Sequence, residues 1–337
     1  PVHLQLDEPF SLKPITKSND DPAIYFQLFL RCLRRMKLNN VDQNDLLDFL
    51  ENQCQYNDEQ LQIIQEYKNN PTSNELLTWF AQNSIFNQIL SRALLNEDFH
   101  RIFLFHSFLT QLHSQLQQNQ PTSPIIIYRS QIISNNEMKL LKNNINQFIS
   151  LNSSFFGVAD RTKALDTLNT VSPSGDMQHV LFEIDADSTI ASTKPFAHIG
   201  PSAILIMTAP IFHLKSITTD AAKQISIVKM SLCTDADYQS FYRSISVEMN
   251  QTGDQSTLRT LARIFWKMNR IDLATFYYKR FIKQLPANDP LLRVIYDDLG
   301  LMYLDQKEYE KSVQWFRKSV EAKKQNSSSS KDTSIGK

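Results

Sequence analysis

The chain has 337 residues, with 35 lysines and arginines against 35 aspartates and glutamates, so its formal net charge at pH 7 is zero. This balance argues against a nucleic-acid-binding protein and against a polybasic membrane-surface protein, because both need an excess of positive charge. Three cysteines, at 32, 54 and 233, are typical of a reduced, cytoplasmic protein without a disulfide framework. The sequence lacks an apolar run of about 18 residues, and its six glycines do not form GxGxxG or GxxxxGK phosphate loops.

The first 120 residues predict an irregular lead-in followed by a helical region. Residues 1–20 are polar and contain several prolines, which do not favour a regular element. Over residues 21–120 the apolar positions recur at helical spacing, and "DPAIYFQLFLRCLRRM" places Ile24 and Leu33 near one face. Pro121 then ends the helical pattern.

The texture changes over residues 121–233, which predict a mixed α/β domain. "IIIYRS" (125–130) is a short β-branched run before a polar turn, and "NNEMKLLKNNINQFISL" predicts a helix. "HVLFEIDAD" (179–187) alternates as a strand does, and "AILIMTAPIFHL" and "SIVKMSLC" predict further strands. The apolar face of the alternating strand is formed by Val180, Phe182, Ile184 and Ala186.

Residues 234–324 predict helices that repeat themselves. Five positions recur 38 residues later, namely Leu261, Ala262, Phe265, Ala274 and Tyr278 against Leu299, Gly300, Tyr303, Ser312 and Phe316. Small residues where helices touch, beside aromatic ones, are typical of tetratricopeptide repeats, whose unit is about 34 residues long. A helix over 234–250 is expected to cap the repeats, and the low-complexity tail, 325–337, is predicted to be disordered.

Several polar groups invite a functional interpretation, but the residues favour a structural one. Glu183, Asp185 and Asp187 lie at period-two spacing on one strand face, yet no histidine or cysteine follows at ligand spacing. A solvated strand face is therefore favoured, and the sequence predicts no metal site. His106 and His113 share a predicted helix, where a packed pair is favoured over a site. Nucleophilic hydrolysis has no support, since GxSxG is absent.

Arg129 has a different context, because it follows the apolar run of "IIIYRSQ" directly. We expect its guanidinium to emerge at the edge of a sheet. Arginine is the side chain best shaped to hold a phosphate through two parallel hydrogen bonds. Arginines at strand ends are also commonly solvated without a ligand, so both interpretations stay open.

In chain order, "IIIYRSQ", "NSSFFGVADR", "HVLFEIDAD", "KPFAHI" and "IMTAPIFHL" resemble arginine-specific mono-ADP-ribosyltransferases that carry C-terminal tetratricopeptide repeats. The likeness extends over roughly residues 75–325. It implies an α+β fold: an N-terminal helical region, a mixed α/β transferase-like domain with a split β-sheet core, and C-terminal α-helical hairpins. It also implies transfer of ADP-ribose from NAD or NADP to a protein arginine.

In the family that the chain resembles, an arginine after the first strand holds the NAD phosphate, and a Ser-Thr-Ser strand lines the nicotinamide pocket. One glutamate of a Glu-x-Glu strand stabilises the oxocarbenium-like transition state, and the other orients the acceptor. By this resemblance Arg129 falls on the phosphate-binding arginine. The other family positions hold residues of different chemistry, namely Phe156, Gly157 and Val158 for Ser-Thr-Ser, and Pro201 and Ala203 for the two glutamates.

These replacements decide the functional expectation. Removing a preorganised electrostatic partner of the transition state typically costs on the order of 10²–10³ in rate. The resemblance therefore implies a catalytically impaired relative that acts as a protein-binding module. Its partners would be proteins or peptides held by the helical repeats, NAD would enter only as a substrate, and nucleic acid and membranes are not expected partners. Two alternatives stay open: an active transferase with a non-standard acid and a protein-arginine acceptor, or a gene-model error near residue 200.

Overall fold

The computed structural model of the chain describes residues 11–16, 21–36, 40–54, 57–70, 75–81, 84–170, 172–189, 194–200, 202–220, 224–234, 236–237 and 258–332. Pro201 and most of the helix predicted over 234–250 lie outside these residues. By its internal contacts the chain divides into a first unit, residues 1–24 and 37–244, and a second unit, residues 25–36 and 245–337. The domain boundaries drawn from the sequence stay predictions.

The N-terminal helical region that the periodicity predicts is confirmed. Its helices are α1 (Pro22–Arg35), α2 (Asn40–Gln53), α3 (Asp58–Asn69), α4 (Leu76–Ala81), α5 (Ile85–Leu95), α6 (Phe99–Leu104) and α7 (His106–Gln118). Buried aromatic rings hold α3, α5 and α7 together, since the Phe86 ring lies 5.1 Å from that of Tyr67 and stacks at 4.9 Å on that of Phe108. Burial raises the pKa of Tyr67 to about 12.

The described strands of the first unit form one mixed sheet. They are β1 (Leu12–Ile15), β2 (Ile125–Ser134), β3 (Phe148–Leu151), β4 (Phe155–Val158), β5 (Met177–Ala186), β6 (Phe196–Ile199), β7 (Ala203–Ile206), β8 (Ile211–Asp220) and β9 (Ile225–Leu232). Their order in the sheet is β1-β3-β8-β9-β5-β2-β4-β7-β6. Only β5 and β9 run parallel among these pairs of described strands. Helices α8 (Asn135–Asn143) and α9 (Arg161–Leu168) lie between strands along the chain.

The alternation predicted for β5 is confirmed, and it shows where the core lies. Val180, Phe182 and Ile184 are fully buried in the main cluster of the sheet, whereas Asp185 is exposed. The sheet is narrowest between β2 and β4, where Tyr128 lies opposite Val158. This junction separates a small part, β4-β7-β6, from the rest of the sheet, in agreement with the split core that was expected.

The predicted helix "NNEMKLLKNNINQFISL" is wrong beyond Asn143. A capping box at its start, with Ser134 and Glu137 bonding each other's backbone, begins α8 as its periodicity suggests. Asn146 then adopts a positive φ of 64°, which asparagine tolerates better than most residues, and the chain turns into β3. The helix ends here because asparagine side chains hydrogen-bond to nearby backbone groups and so favour turns over helix.

Other boundaries also differ from the pattern-based ones. "AILIMTAPIFHL" is divided into β7 and β8 around Ala209, whose φ is +52°, and Pro210, which cannot donate a ladder hydrogen bond. β1 lies inside the segment 1–20 that was expected to be irregular. A strand of four residues is too short to show a period, so tertiary pairing with β3 decides it.

The second unit contains most of α1 together with α10 (Leu258–Lys267), α11 (Ile271–Gln284), α12 (Pro290–Asp305) and α13 (Tyr309–Asp332). The two hairpins, α10–α11 and α12–α13, follow the 38-residue repeat. A Cβ at Gly300 would lie 2.7 Å from the Phe316 ring, which is the close approach that the small residue was expected to permit. From α1, Phe29 packs at 5.5 Å against Phe265. α13 continues to Asp332, into the tail predicted to be disordered.

A buried polar network joins the two hairpins. Arg259 on α10 donates from Nε to Asp298 Oδ2 at 2.7 Å and from a terminal nitrogen to Oδ1 at 3.1 Å. The Tyr278 hydroxyl on α11 donates to the same carboxylate at 3.2 Å. Burial, and then the charge of Asp298, raise the pKa of Tyr278 well above its usual value.

The buried Tyr278 predicts that the second unit loses stability in alkali. An unfolded tyrosine ionises near pH 10, while the folded one keeps its proton to higher pH, so the unfolded state binds fewer protons above about pH 10. The free energy of unfolding should therefore be unaffected below that pH and fall above it, by at most about 1.4 kcal/mol per pH unit. Urea unfolding of the Tyr278→Phe variant from about pH 8 to 11 should show a flatter decline. Equal slopes in the natural chain and in the variant would contradict this assignment.

Candidate functional site

The expectation that the Arg129 guanidinium emerges at the edge of a sheet was wrong, because the structure places it in the interior. β2 continues to Ser134 because "SQIIS" still pairs with β5, so Arg129 lies in mid-strand opposite Phe182. Arg129 is only 3% exposed to solvent. The β-branched pair Ile132 and Ile133, further along the same stretch, is the signal that could have predicted the longer strand.

The Arg129 guanidinium is engaged by groups of the protein itself. Its Nε donates to Gln131 Oε1 at 3.1 Å, and a terminal nitrogen donates to the backbone oxygen of Phe156 at 3.4 Å. Its central carbon lies 5.1 Å from the centroid of the Phe155 ring, within cation–π range. These two hydrogen bonds use two of the five N–H donors of the guanidinium.

The three strands that carry the expected site are neighbours in the sheet. β4 lies beside β2 and pairs with β7, with Phe156 opposite Leu205, Gly157 opposite Ile204 and Val158 opposite Ala203. The alignment of sequence segments therefore corresponds to physical adjacency. Adjacency does not place the side chains on one face, however, because successive residues of a strand point to opposite sides.

Arg129 and Ala203 lie toward different faces of β4. The guanidinium contacts Phe155, which belongs to the main core cluster together with Ile127. Ala203 lies opposite Val158, which packs in the smaller cluster on the other face. Residue 203 is 6% exposed, and its side chain is a methyl group that can neither accept a hydrogen bond nor carry a charge. Pro201, the other glutamate position, lies outside the described residues.

Phe156 and Gly157 show how β4 is packed where the family has hydroxyl groups. The Phe156 ring is 4% exposed and stacks at 6.1 Å on Phe80 of helix α4. A Cβ on Gly157 would lie 2.4 Å from Ile127 Cγ2 and 2.9 Å from the backbone oxygen of Tyr128. This strand is therefore built as core, with an aromatic ring on one side and a backbone contact that only glycine permits.

The pairing of the strands fixes how far the Glu183 carboxylate lies from Ala203. Glu183 on β5 lies opposite Tyr128 on β2, and Tyr128 lies opposite Val158 on β4. Val158 in turn lies opposite Ala203 on β7, so Glu183 is three strands away from Ala203. Three strand spacings put about 14 Å between the Glu183 and Ala203 backbones. Glu183 also accepts from Arg161 at 2.8 Å, and Lys229 lies 3.8 Å away. It is an ion-paired structural group and does not reach Ala203.

Asp185, Asp187 and His106 do not belong to a metal-binding group in the described parts of the chain. Asp185 is exposed, and Asp187 accepts from the Thr189 backbone and hydroxyl. His106 is fully buried, and its Nδ1 lies 3.1 Å from the Phe103 backbone oxygen. Across the described residues, no group of three His, Cys, Asp or Glu side chains is placed to hold a metal ion.

Sequence reasoning missed one buried cation of the first unit. Lys194 is 4% exposed, and its ammonium donates to the backbone oxygen of Thr208 at 2.8 Å. The backbone of Ala209 donates to Ser153 in the same loop region. Lys194 therefore ties the chain before β6 to the loop after β7. In the sequence, Lys194 stands in "KPFAHI", separated from the buried strand β6 only by Pro195.

The fold is mixed α+β, with a helical N-terminal region, a sheet domain divided at β2/β4 and C-terminal helical hairpins. The tetratricopeptide repeat family matches residues 295–326. No curated protein sequence matches the chain. None of the described helices has both the length and the hydropathy that a bilayer crossing requires.

Solved structures similar to this chain are ADP-ribosyltransferases. Vis toxin from Vibrio splendidus is 10% identical, with a TM-score of 0.35 over 61% of this chain and 91% of its own. C3larvin toxin from Paenibacillus larvae is 10% identical, with a TM-score of 0.35 over 50% and 93%. The Clostridium limosum C3 exoenzyme is 10% identical, with a TM-score of 0.35 over 59% and 96%. Likeness at this level carries no argument about the activity of this chain.

Proposed function

We propose that the first unit is a catalytically impaired ADP-ribosyltransferase-like domain and that the chain acts as a cytoplasmic protein-binding module through its helical repeats. The proposal rests on the resemblance of the motifs around Arg129, Gly157 and Ala203. One observation supports the proposed loss of activity: Ala203 has a buried methyl group at the position where the resemblance requires the catalytic carboxylate. Glu183, engaged elsewhere, does not replace it.

Two further features support impairment. The Arg129 guanidinium already donates to Gln131 and to the Phe156 backbone, so fewer of its five N–H donors are left for a phosphate, and the residue is only 3% exposed. Phe156 occupies the position of the first hydroxyl residue and is stacked on Phe80, so its bulk fills space that a nicotinamide would need. NAD, the substrate that the resemblance implies, would thus bind weakly if it used this site.

Thermal unfolding with and without NAD tests the site directly. A ligand that binds only the folded state stabilises it by RT ln(1 + [L]/Kd), so a functional site should raise the melting temperature at about 1 mM NAD. We expect no rise for the natural chain and none for Arg129→Lys, which serves as the matched control. A rise in the natural chain that Arg129→Lys abolishes would show that NAD binds at Arg129 and would contradict the weak binding expected of this site.

A further inference from the structure

Three apolar side chains form an uncovered stripe on the last helix, α13. Tyr309 is 61% exposed, Val313 48% and Val320 53%. Their spacings of four and seven residues put them on one side of the helix. We call these three residues the end face. Exposed apolar stripes of this kind commonly mark interaction sites.

The internal repeat shows what covers the same positions in the first hairpin. The residues 38 positions earlier are Ile271, Thr275 and Ile282 of α11, and each of them is only partly exposed. The Thr275 hydroxyl lies 3.0 Å from the Tyr303 hydroxyl of α12. Helix α12 therefore contacts the middle one of these positions on α11, Thr275, whereas its counterpart on α13, Val313, is 48% exposed.

Charge distinguishes the covering helix from the covered one. The covered helix α11 has an excess of basic residues, namely Lys279, Arg280 and Lys283 against Asp272. The covering helix α12 has an excess of acidic residues, namely Asp297, Asp298 and Asp305 against Arg293. Up to residue 324, α13 is basic like α11, with Lys311, Arg317, Lys318, Lys323 and Lys324 against Glu310 and Glu321. The end face is thus an apolar stripe on a basic helix, and its complement is an acidic amphipathic helix.

We propose that the end face binds an amphipathic helix of another protein, with an apolar stripe and acidic flanks, in the manner in which α12 covers α11. The inference rests on the proposed protein-binding function and names the class of partner. The tail 325–337 cannot supply this helix, because Ile335 is its single apolar residue. A second copy of α13 is a poor complement, since Arg317 and the lysines would face like charges.

A peptide with the sequence of α12, residues 290–305, is the probe, because its shape and charge are those of the covering helix. Fluorescence anisotropy of the labelled peptide against the full chain should show saturable binding below about 1 mM. An isolated helix of this length is marginal in water, so part of the binding energy is spent on folding it. Replacing its three aspartates by lysine should weaken binding at least about tenfold, and so should raising salt from about 50 to about 300 mM.

Substitutions in the chain itself locate the binding. The double variant Val313→Glu/Val320→Glu changes exposed side chains, so its circular dichroism and melting should match those of the natural chain. It should bind the peptide at least about tenfold more weakly. Leu301→Glu, at a position 46% exposed on α12 and outside the end face, is the matched control and should bind normally.

Three results would overturn the inference: no saturable binding, binding that the double variant does not weaken, or a homodimer that the double variant dissociates in sedimentation. The last would assign the end face to a second copy of the chain. Each of these results is independent of NAD. A failed peptide experiment would therefore leave the impaired-transferase proposal to its own test.

Discussion

Replacing Asp298 by alanine should lower the free energy of unfolding of the second unit by about 3–5 kcal/mol. The carboxylate receives two hydrogen bonds from Arg259 and one from Tyr278, and both ion-pair side chains are nearly buried, at 9% and 12% exposure. Without it a guanidinium would remain in the interior without its counter-charge. Urea unfolding of the full chain, followed through a probe in the helical unit, measures the loss.

Two control variants separate the buried charge from a generic effect of losing an aspartate. Asp297→Ala removes a carboxylate 39% exposed and 3.9 Å from Arg293, which should cost no more than about 0.5 kcal/mol. The double variant Arg259→Met/Asp298→Leu replaces both partners by apolar groups and should recover much of the loss. Equal losses for Asp297→Ala and Asp298→Ala would show that the network does not stabilise the hairpins.

Replacing Gly157 by threonine, the residue type that the resemblance places there, should destabilise the first unit by about 3 kcal/mol or more. Its Cβ alone would approach Ile127 Cγ2 and the Tyr128 backbone oxygen far more closely than atoms can pack. Neither neighbour is the free end of a flexible side chain. Thermal or urea unfolding of the variant measures the cost.

A double-mutant cycle tests whether the contact with Ile127 is the cause. Ile127→Ala removes the nearest atom but leaves a cavity, so by itself it should cost about 2–5 kcal/mol. Combined with Gly157→Ala, the loss should be smaller than the sum of the two single losses, because the methyl fills part of the cavity. Additive losses would contradict the steric explanation.

Because of this packing, we expect that returning one side chain would not give the chain transferase activity. Ala203→Glu would bring a carboxylate to the end of β7, opposite Val158 and away from the face on which Arg129 contacts Phe155. Phe156 would still stack on Phe80. We therefore propose that the core packing of β4 contributes to the impairment together with the missing acid.

The parts of the fold with a clear period were predictable from the sequence. β5 alternates with one face fully in the core, and the 38-residue repeat gave both hairpins and the close contact at Gly300. The association of α1 with the second unit was not predictable, because amphipathicity shows that a face is buried but not against which partner. The same holds for β1, whose pairing with β3 is decided by tertiary contact.

The sequence indicated which segments carry the candidate site, but not which face of the sheet each side chain points to. The resemblance assigns Arg129, Gly157 and Ala203 to one site, and the strands that carry them, β2, β4 and β7, are neighbours in the sheet. The burial of Arg129 was missed because the strand was ended at residue 130, four residues too early. Which face a side chain uses depends on register, and register follows from pairing across the sheet rather than from local sequence.

Transfer of labelled ADP-ribose from NAD to agmatine, a small guanidine acceptor, tests the central claim most directly. On the proposed impairment, the natural chain should transfer no label above the level of a protein-free control, because Ala203 has a methyl group where the resemblance requires a glutamate to stabilise the sugar cation. The Arg129→Ala variant should give the same background. Transfer by the natural chain that Arg129→Ala abolishes would contradict the account and identify a working transferase.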